Sequence, residues 1–230
     1  MPQTFRGPFG KAARFLLNSS SFIQVPTSTP EFVGLDETSF SLQMWVRRIS
    51  LGSSCLVSQD TAALFIGFSS DESTLFSFSE GPDSETQDTF SNDQLVWVHW
   101  TFTFDVSSYE RAIFRDGVSA TLVQGTSQAS GALQSTGPVV LGKHFAQPEL
   151  QFEGDIDEFK IWLKALDSDD IGSTFYSHTS NVACLVSSFD FDDPHSLQTN
   201  SVDNATAQLC PVNSREALRS PTWKMSSRSQ

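Results

Sequence analysis

The stretch Leu150–Ile171, LQFEGDIDEFKIWLKALDSDDI, predicts a β-strand that runs directly into a short helix. The residues of the strand alternate, which puts Asp157 on the same face as the apolar Phe159 and Ile161. Asp155 would begin that face, at the start of the strand. We expect this face to be buried, because the acid and the lysine between these residues would hold the opposite face in water.

A helix should begin just after Asp167. This residue stands where an N-cap belongs, and Asp170 follows three residues later, which is the spacing of a capping box. Ile171 and Phe175 lie four residues apart and would form the apolar stripe that packs on the sheet. The sequence thus predicts a single short helix after the strand that ends at Trp162.

Two other segments alternate strictly and predict long strands. In Phe40–Val46 the apolar residues alternate with a second set that includes Trp45. In Leu95–Phe104, LVWVHWTFTF, the face that carries Trp97 lies opposite the face that carries the phenylalanines. The polar and acidic segment Glu80–Asn92 should form a long exposed loop between strands.

Several of these segments resemble one family. The pattern G-D-I-D-E-F-K-I-W-x-x-A-L, from Gly154 to Leu166, resembles the closing motif of the laminin G-like, concanavalin A-like jelly rolls, a superfamily that also contains the pentraxins. Leu95–Phe104 resembles that family's W-x-H-v-a-v-t-y-D strand, and Lys11–Pro26 resembles its opening segment. The resemblance implies an all-β fold: a two-sheet antiparallel jelly-roll sandwich with one short helix.

The C-terminal part of the chain holds a segment that the family normally has first. Leu185–Asp193, LVSSFDFDD, resembles the opening strand of the family's repeat unit, L-V-A-Y-Y-x-F-D-E. A sandwich that lacks a strand exposes hydrogen-bonding edges, so we expect residues 183–230 to fold back and close a single domain of residues 1–230. The alternative is that these residues begin a second repeat of a tandem array.

The composition narrows the choice of partners. The chain has 14 basic and 27 acidic residues and a formal net charge of −13 at pH 7. This charge repels phosphate backbones and anionic membranes, so we expect no nucleic-acid partner. No run of about 18 apolar residues occurs, so we expect no membrane insertion. The N-terminal residues lack the apolar core of a signal peptide, and we expect the chain to be part of a longer extracellular or cell-surface protein.

Glycosylation and a disulfide are the covalent features that the sequence suggests. Asn18 and Asn204 begin the glycosylation sequons Asn-Ser-Ser and Asn-Ala-Thr. Cys184 and Cys210 could form a disulfide, and Cys55 would then be a buried free thiol.

Asp157 is the main candidate for a metal site. A buried carboxylate needs a cation or several hydrogen-bond donors, because desolvation disfavours its charge. In the jelly rolls that this chain resembles, an aspartate at the corresponding place can bind a structural Ca²⁺ together with backbone carbonyls near the first strand. The resemblance therefore implies calcium at Asp157, with Asp155 as the second candidate carboxylate. The alternative is that Asp157 accepts hydrogen bonds from backbone N–H groups or from an arginine.

Two tryptophans are candidate ligand-binding residues. Trp45 and Trp97 could stack on sugar rings if they are exposed on a sheet face, and otherwise they would cover apolar surface. His99, alone in an alternating strand, is expected to be a structural histidine.

A possible catalytic motif overlaps the closing strand. Glu153 to Glu158 spells E-x-D-x-x-E, which resembles the catalytic motif of the β-glucanases that share this fold. In those enzymes one glutamate would be the nucleophile and the other the general acid. Gly154 and Asp157 depart from the motif, because both positions should carry apolar side chains.

These features predict a non-catalytic recognition module that binds a glycan or an extracellular protein. Two alternatives remain: a structural or assembly domain with no small ligand, and a glycoside hydrolase of the β-glucanase type.

Overall fold

The computed structural model describes residues 3–17, 21–25, 35–60, 63–78, 84–135, 137–144, 146–176 and 183–192. Within these residues the chain forms two antiparallel β-sheets. Apolar side chains from both sheets pack together in one core. This is the two-sheet antiparallel sandwich that the sequence predicts.

Short strands dominate the described part of the chain, with one α-helix and two 3₁₀ turns. In chain order the strands are β1 (Gln3–Arg6), β2 (Lys11–Phe15), β3 (Ile23–Gln24), β4 (Phe40–Arg48), β5 (Ser54–Gln59), β6 (Leu64–Phe68), β7 (Thr74–Phe78), β8 (Ser84–Glu85), β9 (Trp97–Asp105), β10 (Glu110–Arg115), β11 (Val118–Ser119), β12 (Val139–Leu141), β13 (Gly154–Trp162) and β14 (Leu185–Phe189). The helix is α1 (Ser168–Thr174), and the 3₁₀ turns are Ser91–Asp93 and Pro148–Leu150.

The closing strand lies inside the first sheet. That sheet has eight strands in the order β1-β2-β13-β4-β9-β10-β11, and β14 also pairs with β13. The second sheet has six strands in the order β3-β12-β5-β6-β7-β8. Strand β13 is therefore bordered by three others, which explains why the segment that contains it decides so much of the fold.

Alternate residues of the long strands fill the space between the sheets. Phe40 of β4 and Phe104 of β9 are buried there, together with every second residue of both strands, as the alternation predicts. Phe78 of the second sheet contacts them, with 4.7 Å between its ring centroid and that of Phe104. Trp45 and Trp97 consequently lie on the outer face of the first sheet, which is the face turned away from the second sheet.

A β-bulge in β13 changes which of its residues share a face. The pairing of β13 with β4 shifts between Asp157 and Lys160, and Glu158 has a φ of 50°. An extra residue in a strand reverses the alternation beyond it. Ile156 is therefore buried in the same core as Phe159, and Asp157 turns to the outer face. The prediction that Asp157 shares a face with Phe159 is wrong, because the sequence pattern contains no sign of the bulge.

Along β13 the outer face of the first sheet is not exposed to solvent. Glu158 and Lys160 are buried and form an ion pair with 3.1 Å between Oε2 and Nζ. The prediction that these two residues face water is wrong, because each side chain is only 4% exposed. Phe9, in the turn between β1 and β2, and Phe175, at the end of α1, both contact Trp45 on this face.

Helix α1 forms as the sequence predicts. The backbone N–H of Asp170 donates to Asp167 Oδ1 at 2.8 Å, and the reciprocal bond of the capping box is also present. Ile171 is buried in a small apolar cluster with Trp162 and Phe114. The helix therefore packs on the outer face of the first sheet, near the end of β13.

Strands from the two ends of the sequence share one edge of β13. Strand β2 pairs with residues 154–156, and β14 pairs with residues 159–162. Leu185–Phe189 thus belongs to the first sheet. The prediction that residues 183–230 close one sandwich of residues 1–230 stays a prediction, because residues 193–230 lie outside the described part of the chain.

The polar segment Glu80–Asn92 is not the continuous exposed loop that the sequence predicts. It contains β8, which pairs with β7, and both Ser84 and Thr86 are buried. Ser84 Oγ donates to the carbonyl of Thr126. Hydrogen bonds of this kind satisfy buried hydroxyl groups, so a polar segment can pair as a strand without apolar residues.

Candidate functional site

Four residues selected from the sequence come together on the outer face of the first sheet. Asp155 and Trp97 lie in one row across the strands, joined through Arg47 of β4. Asp157 and Trp45 lie opposite each other in the next row. The outer-face site consists of Arg14, Asp155, Arg47 and Trp97 in the first row and of Asp157, Trp45 and His99 in the second.

Asp155 is held between two arginines. Arg14 Nε donates to Oδ1 at 2.7 Å, and Arg47 Nη2 donates to Oδ2 at 2.6 Å. The Asp155 carboxylate is fully buried, whereas the side chains of Arg14 and Arg47 are 22% and 19% exposed. Because both oxygens accept charged hydrogen bonds, the geometry favours an ion-pair role for Asp155 over a metal-ligand role.

Asp157 is a buried carboxyl group with an unsatisfied oxygen. Its side chain is 1% exposed, and Oδ1 accepts from the backbone N–H of Glu158 at 2.9 Å. Oδ2 has no hydrogen-bond partner of ordinary geometry within the described residues. Burial, assisted by the charge of Glu158, raises the pKa of Asp157 to about 8, against the opposing effect of nearby backbone N–H groups. Such a group is suited to hold either a proton or a cation.

The turn between β1 and β2 closes over this carboxyl group. Gly7 N–H donates to the carbonyl of Gly10 at 2.9 Å. A Cβ atom at Gly7 would overlap the Asp157 carboxyl group, and a Cβ atom at Gly10 would overlap that of Asp192. Asp192 accepts from the backbone N–H of Lys11 at 2.7 Å. The backbone of residues 7–10 is thus confined between two carboxyl groups.

The residues around Asp157 meet part of the requirement for calcium. The unsatisfied oxygen of Asp157 is a suitable ligand, but the described residues contain no group of three His, Cys, Asp or Glu side chains that could hold a metal. Calcium accepts backbone carbonyl and water oxygens as well as carboxylates. A cation at Asp157 would therefore take its other ligands from the backbone of the covering turn and from water.

Aromatic rings continue from Trp45 to the protein surface. Trp45 makes edge contacts with Phe175 and His99, at centroid distances of 5.1 and 5.3 Å. Phe175 contacts Tyr176 at 4.4 Å, and Tyr176 is 73% exposed. In the first row, Arg47 lies over the ring of Trp97 with 5.6 Å to the centroid. Both tryptophans are half-buried, so each is partly accessible to a ligand.

His99 is a neutral part of this surface. It is buried, and burial together with the charge of Lys160 lowers its pKa to about 3. Its ring contacts Phe175 at a centroid distance of 4.6 Å. This environment agrees with the structural histidine that the sequence predicts, since a neutral imidazole packs against aromatic rings without a charge to desolvate.

Two acids of the E-x-D-x-x-E motif, Asp155 and Glu158, are engaged in separate interactions. Asp155 bonds to its two arginines, and Glu158 is buried against Lys160. Glu153 is half-buried and lies before the first residue of β13. A glutamate paired with a buried lysine is not arranged as a nucleophile with free access to a sugar.

Sequence reasoning did not select the two arginines or the buried ion pair of this site. Arg47 alternates with Trp45 along an amphipathic strand, and this pattern could have indicated that it belongs to the same face. Glu158 and Lys160 alternate as solvent-facing residues do, so the local sequence contains no signal of their burial.

Several predicted covalent features fall outside the described residues. Asn18, Asn204 and Cys210 all lie there. Cys184 is buried, and its pairing with Cys210 stays a prediction. Cys55 is buried as expected, and burial raises the pKa of its thiol.

Comparison with known proteins identifies relatives at the level of the fold. A sequence model of the concanavalin A-like lectin/glucanases superfamily matches residues 18–172. No curated protein matches the chain in sequence.

None of the helices in the described residues is long and apolar enough to cross a membrane.

Three solved structures illustrate the similarity. A Bacteroides ovatus protein described as carbohydrate-binding matches with a TM-score of 0.62 and 12% identity, over 84% of this chain and 52% of that one. The binding domain of Paraclostridial Mosquitocidal Protein 1 matches with a TM-score of 0.61 and 20% identity, over 79% and 47%. Domain 4 of an extracellular arabinanase from Geobacillus stearothermophilus, solved with arabinotriose, matches with a TM-score of 0.57 and 18% identity, over 74% and 79%. The chain thus spans about half the length of the first two structures.

Proposed function

The chain belongs to the concanavalin A-like lectin/glucanases superfamily, and on that premise we propose that it is a non-catalytic recognition module that binds a glycan at the outer-face site. The observation that carries this proposal is the half-exposed Trp97, which lies beside the guanidinium of Arg47 on the same face as Trp45. Aromatic rings stack on the apolar faces of sugars, and arginine N–H groups donate to sugar oxygens.

Two further observations support glycan binding over catalysis. Two of the three acids of the E-x-D-x-x-E motif are occupied: Asp155 by two arginines and Glu158 by a buried lysine. Two of the solved structures that share the fold are described as carbohydrate-binding or contain arabinotriose. A module of this kind would work within a longer extracellular or cell-surface protein, as in the arabinanase, where the similar domain is one of several.

We also propose that Asp157 holds a structural calcium ion. The support is its buried Oδ2, which has no partner of ordinary geometry within the described residues. Bound calcium would neutralise the carboxylate that burial otherwise keeps protonated, and it would join the turn over residues 7–10 to β13.

A glycan array, read with and without calcium, tests the proposed function. We expect binding by the wild type and a loss of at least about tenfold in affinity for Trp97→Ala, since a stacking ring contributes on the order of 1.4 kcal/mol. Phe22→Ala is the matched control, because Phe22 is an exposed aromatic residue that precedes β3 of the second sheet.

Either of two results would contradict the proposed glycan-binding function. A folded wild type that binds no glycan would favour a structural or assembly domain. Turnover of a β-glucan that is lost in Glu153→Gln would favour a glycoside hydrolase.

A further inference from the structure

Building on the proposed glycan-binding function, we propose that the glycan is a neutral oligosaccharide, and that Asp116 and Tyr176 form a second subsite for it beside Trp97. Tyr176 would stack on one sugar ring, and the Asp116 carboxylate would accept hydrogen bonds from the hydroxyl groups of that sugar. Both residues lie where the end of α1 meets the turn between β10 and β11.

Asp116 extends the second row of the outer-face site. Its backbone N–H donates to the carbonyl of His99 at 2.8 Å, and its Oδ1 accepts from the backbone N–H of His99 at 3.0 Å. His99 lies opposite Trp45, so Asp116 occupies the next position across the sheet. Two strand spacings, each about 4.8 Å, therefore separate Asp116 from Trp45.

Phe175 places Tyr176 next to the same row. The ring of Phe175 contacts His99 at 4.6 Å and Tyr176 at 4.4 Å between centroids. A Cβ atom at Gly117 would lie 3.8 Å from the Phe175 ring, so the turn that carries Asp116 borders this ring too. Asp116 and Tyr176 are thus both close neighbours of one aromatic residue.

Both side chains of the proposed subsite are accessible to a ligand. Tyr176 is 73% exposed, and the side chain of Asp116 is 39% exposed. Tyr176, Phe175 and Trp45 form one contiguous aromatic surface, and a contiguous apolar patch indicates an interaction site better than a single exposed residue does. Tyrosine suits such a position because its ring is apolar and its hydroxyl is polar.

The Asp116 carboxylate retains the capacity to accept further hydrogen bonds. Oδ1 accepts from the backbone N–H of His99, and Oδ2 lies 3.2 Å from Arg115 Nη1. A carboxylate offers about four acceptor positions, so about half of them remain for a ligand. Sugar hydroxyl groups are donors. An exposed carboxylate beside an exposed aromatic ring therefore provides both the polar and the apolar contact that a sugar requires.

The charges around Asp116 favour a neutral ligand. Arg115 is shared between Asp116 and the buried Asp93, with 2.6 Å from Nη2 to Asp93 Oδ1. One positive and two negative charges give this cluster a net charge of −1. An acidic sugar at the subsite would meet the exposed carboxylate and be repelled. The net charge of −13 for the whole chain acts in the same direction.

A ligand that uses both Trp97 and the proposed subsite must contain more than one sugar. Trp97 lies two residues before His99 on β9, which corresponds to about 7 Å along the strand. Phe175 contacts both His99 and Tyr176, so a whole aromatic ring separates Tyr176 from His99. A pyranose is close in size to a phenyl ring, and one sugar therefore cannot stack on both Trp97 and Tyr176. This arrangement favours an oligosaccharide over a monosaccharide.

The test measures affinity against chain length by titration calorimetry. The probes are the disaccharide and the tetrasaccharide of three neutral β-1,4-linked series, based on glucose, xylose and mannose, with tetragalacturonate as the acidic tetrasaccharide. We expect at least one neutral tetrasaccharide to bind about tenfold more tightly than its disaccharide, the effect of one further stacked ring. Tetragalacturonate should bind more weakly than that neutral tetrasaccharide.

Two variants of Tyr176 assign the gain in affinity to its ring. Tyr176→Ala should remove the tenfold gain and leave the affinity for the disaccharide unchanged, because the disaccharide still stacks on Trp97. Tyr176→Phe keeps the ring and should retain most of the gain. Phe22→Ala is the matched control, since Phe22 is exposed next to the second sheet, and it should retain the whole gain.

A variant of Asp116 tests the role of the carboxylate. Asp116→Asn should weaken binding of the neutral tetrasaccharide several-fold, because the charged acceptor is lost. Asparagine tolerates the positive φ of 50° at this position and keeps an oxygen for the N–H of His99. Asp88→Asn removes an equal charge from an exposed residue after β8 and should change nothing. A thermal melt checks that each variant is folded, and the Tyr176 variants decide the test if Asp116→Asn is not.

The outcomes distinguish this inference from the proposed function. Equal affinity for disaccharides and tetrasaccharides, a gain that Tyr176→Ala does not reduce, or tighter binding of tetragalacturonate would overturn the second subsite and leave glycan binding intact. Unchanged affinity in a folded Asp116→Asn variant would overturn the role of the carboxylate. No binding of any saccharide by the folded wild type would overturn both the inference and the proposed function.

Discussion

Gly7 packs its backbone directly against the carboxyl group of Asp157. A Cβ atom at Gly7 would overlap Oδ2 and Cγ of Asp157 and would also approach the carbonyl oxygen of Lys11 at 3.1 Å. The contact joins the first turn of the described chain to the bulge in β13, about 150 residues later in the sequence. The contact between Gly7 and Asp157 also explains why Asp157 is buried although it lies on the outer face.

Replacing Gly7 should open this contact. Gly7→Ala places a methyl group in occupied space next to a buried carboxyl group, and overpacking of this kind costs about 1–3 kcal/mol. Gly172→Ala is the matched control, because its Cβ would meet no atom within 4 Å. In helix α1 that change should stabilise by about 0.5–1 kcal/mol. Urea denaturation measures both, and equal stability of the two variants would contradict the close packing.

Removal of calcium should destabilise the fold if Asp157 binds it. An ion that binds only the folded state adds about 2.7 kcal/mol at a hundredfold excess over its Kd. For a chain of this size we expect EDTA to lower Tm by roughly 5–10 °C relative to millimolar calcium. The measurement is a thermal melt followed by circular dichroism.

Two variants assign the calcium effect to one residue. Asp157→Asn should lose most of the response and melt below the calcium-loaded wild type. Asp155→Asn should keep the response, because Asp155 is occupied by Arg14 and Arg47. A wild type with the same Tm in EDTA and in calcium would instead leave Asp157 as a buried protonated acid.

The buried imidazole of His99 should make the protein sensitive to acid. In the folded state the pKa of His99 is lowered to about 3 from 6.5. The contribution of the neutral His99 side chain to the free energy of unfolding is therefore fully present above pH 6.5. As the pH falls toward 3, the unfolded chain gains a proton that the folded chain does not bind. Unfolding free energy then decreases by up to about 1.4 kcal/mol per pH unit.

A variant isolates this titration from those of other groups. His99→Gln cannot titrate, so the free-energy difference between wild type and variant should shift by about 1.4 kcal/mol per unit between pH 6 and pH 5. The raised pKa of Asp157 acts in the opposite direction, since its contribution is lost as the pH rises through about 8. Because both proteins contain Asp157, its contribution cancels when the free energies of unfolding of wild type and variant are compared. Parallel stability curves for the two proteins would show that His99 titrates normally in the folded state.

Strand β14 should be necessary for a soluble fold. It buries Leu185, Val186 and Phe189 and covers the edge of β13 at residues 159–162. Deletion of residues 183–230 should therefore expose apolar core and an unpaired strand, and the product should aggregate. Deletion of residues 193–230 alone keeps β14 and is the control. Size-exclusion chromatography distinguishes the two, and a soluble, cooperatively melting fragment of residues 1–182 would favour a tandem repeat.

The sequence by itself determined the class of fold and several of its elements. The alternation of Phe40–Val46 and of Leu95–Phe104 identified which residues fill the core, because the side-chain period of an uninterrupted strand is two. The capping box at Asp167 identified the start of α1, because its hydrogen bonds join residues only three positions apart. Trp45, Trp97, Asp155 and Asp157 were likewise recognised as candidate residues from their strand positions and residue types.

Only the tertiary structure decided how these residues are arranged. The bulge at Glu158 turned Asp157 to the outer face, because its register depends on the pairing of β13 with β4 and not on the residues within β13. The same holds for Asp155, whose partners Arg14 and Arg47 lie 141 and 108 residues away. Glu158 and Lys160 are buried on a face that a strand pattern alone would assign to water, and the turn around Phe9 and the end of α1 pack on Trp45 of that face. Ion pairs and burial arise from contacts between distant segments, and no local periodicity encodes them.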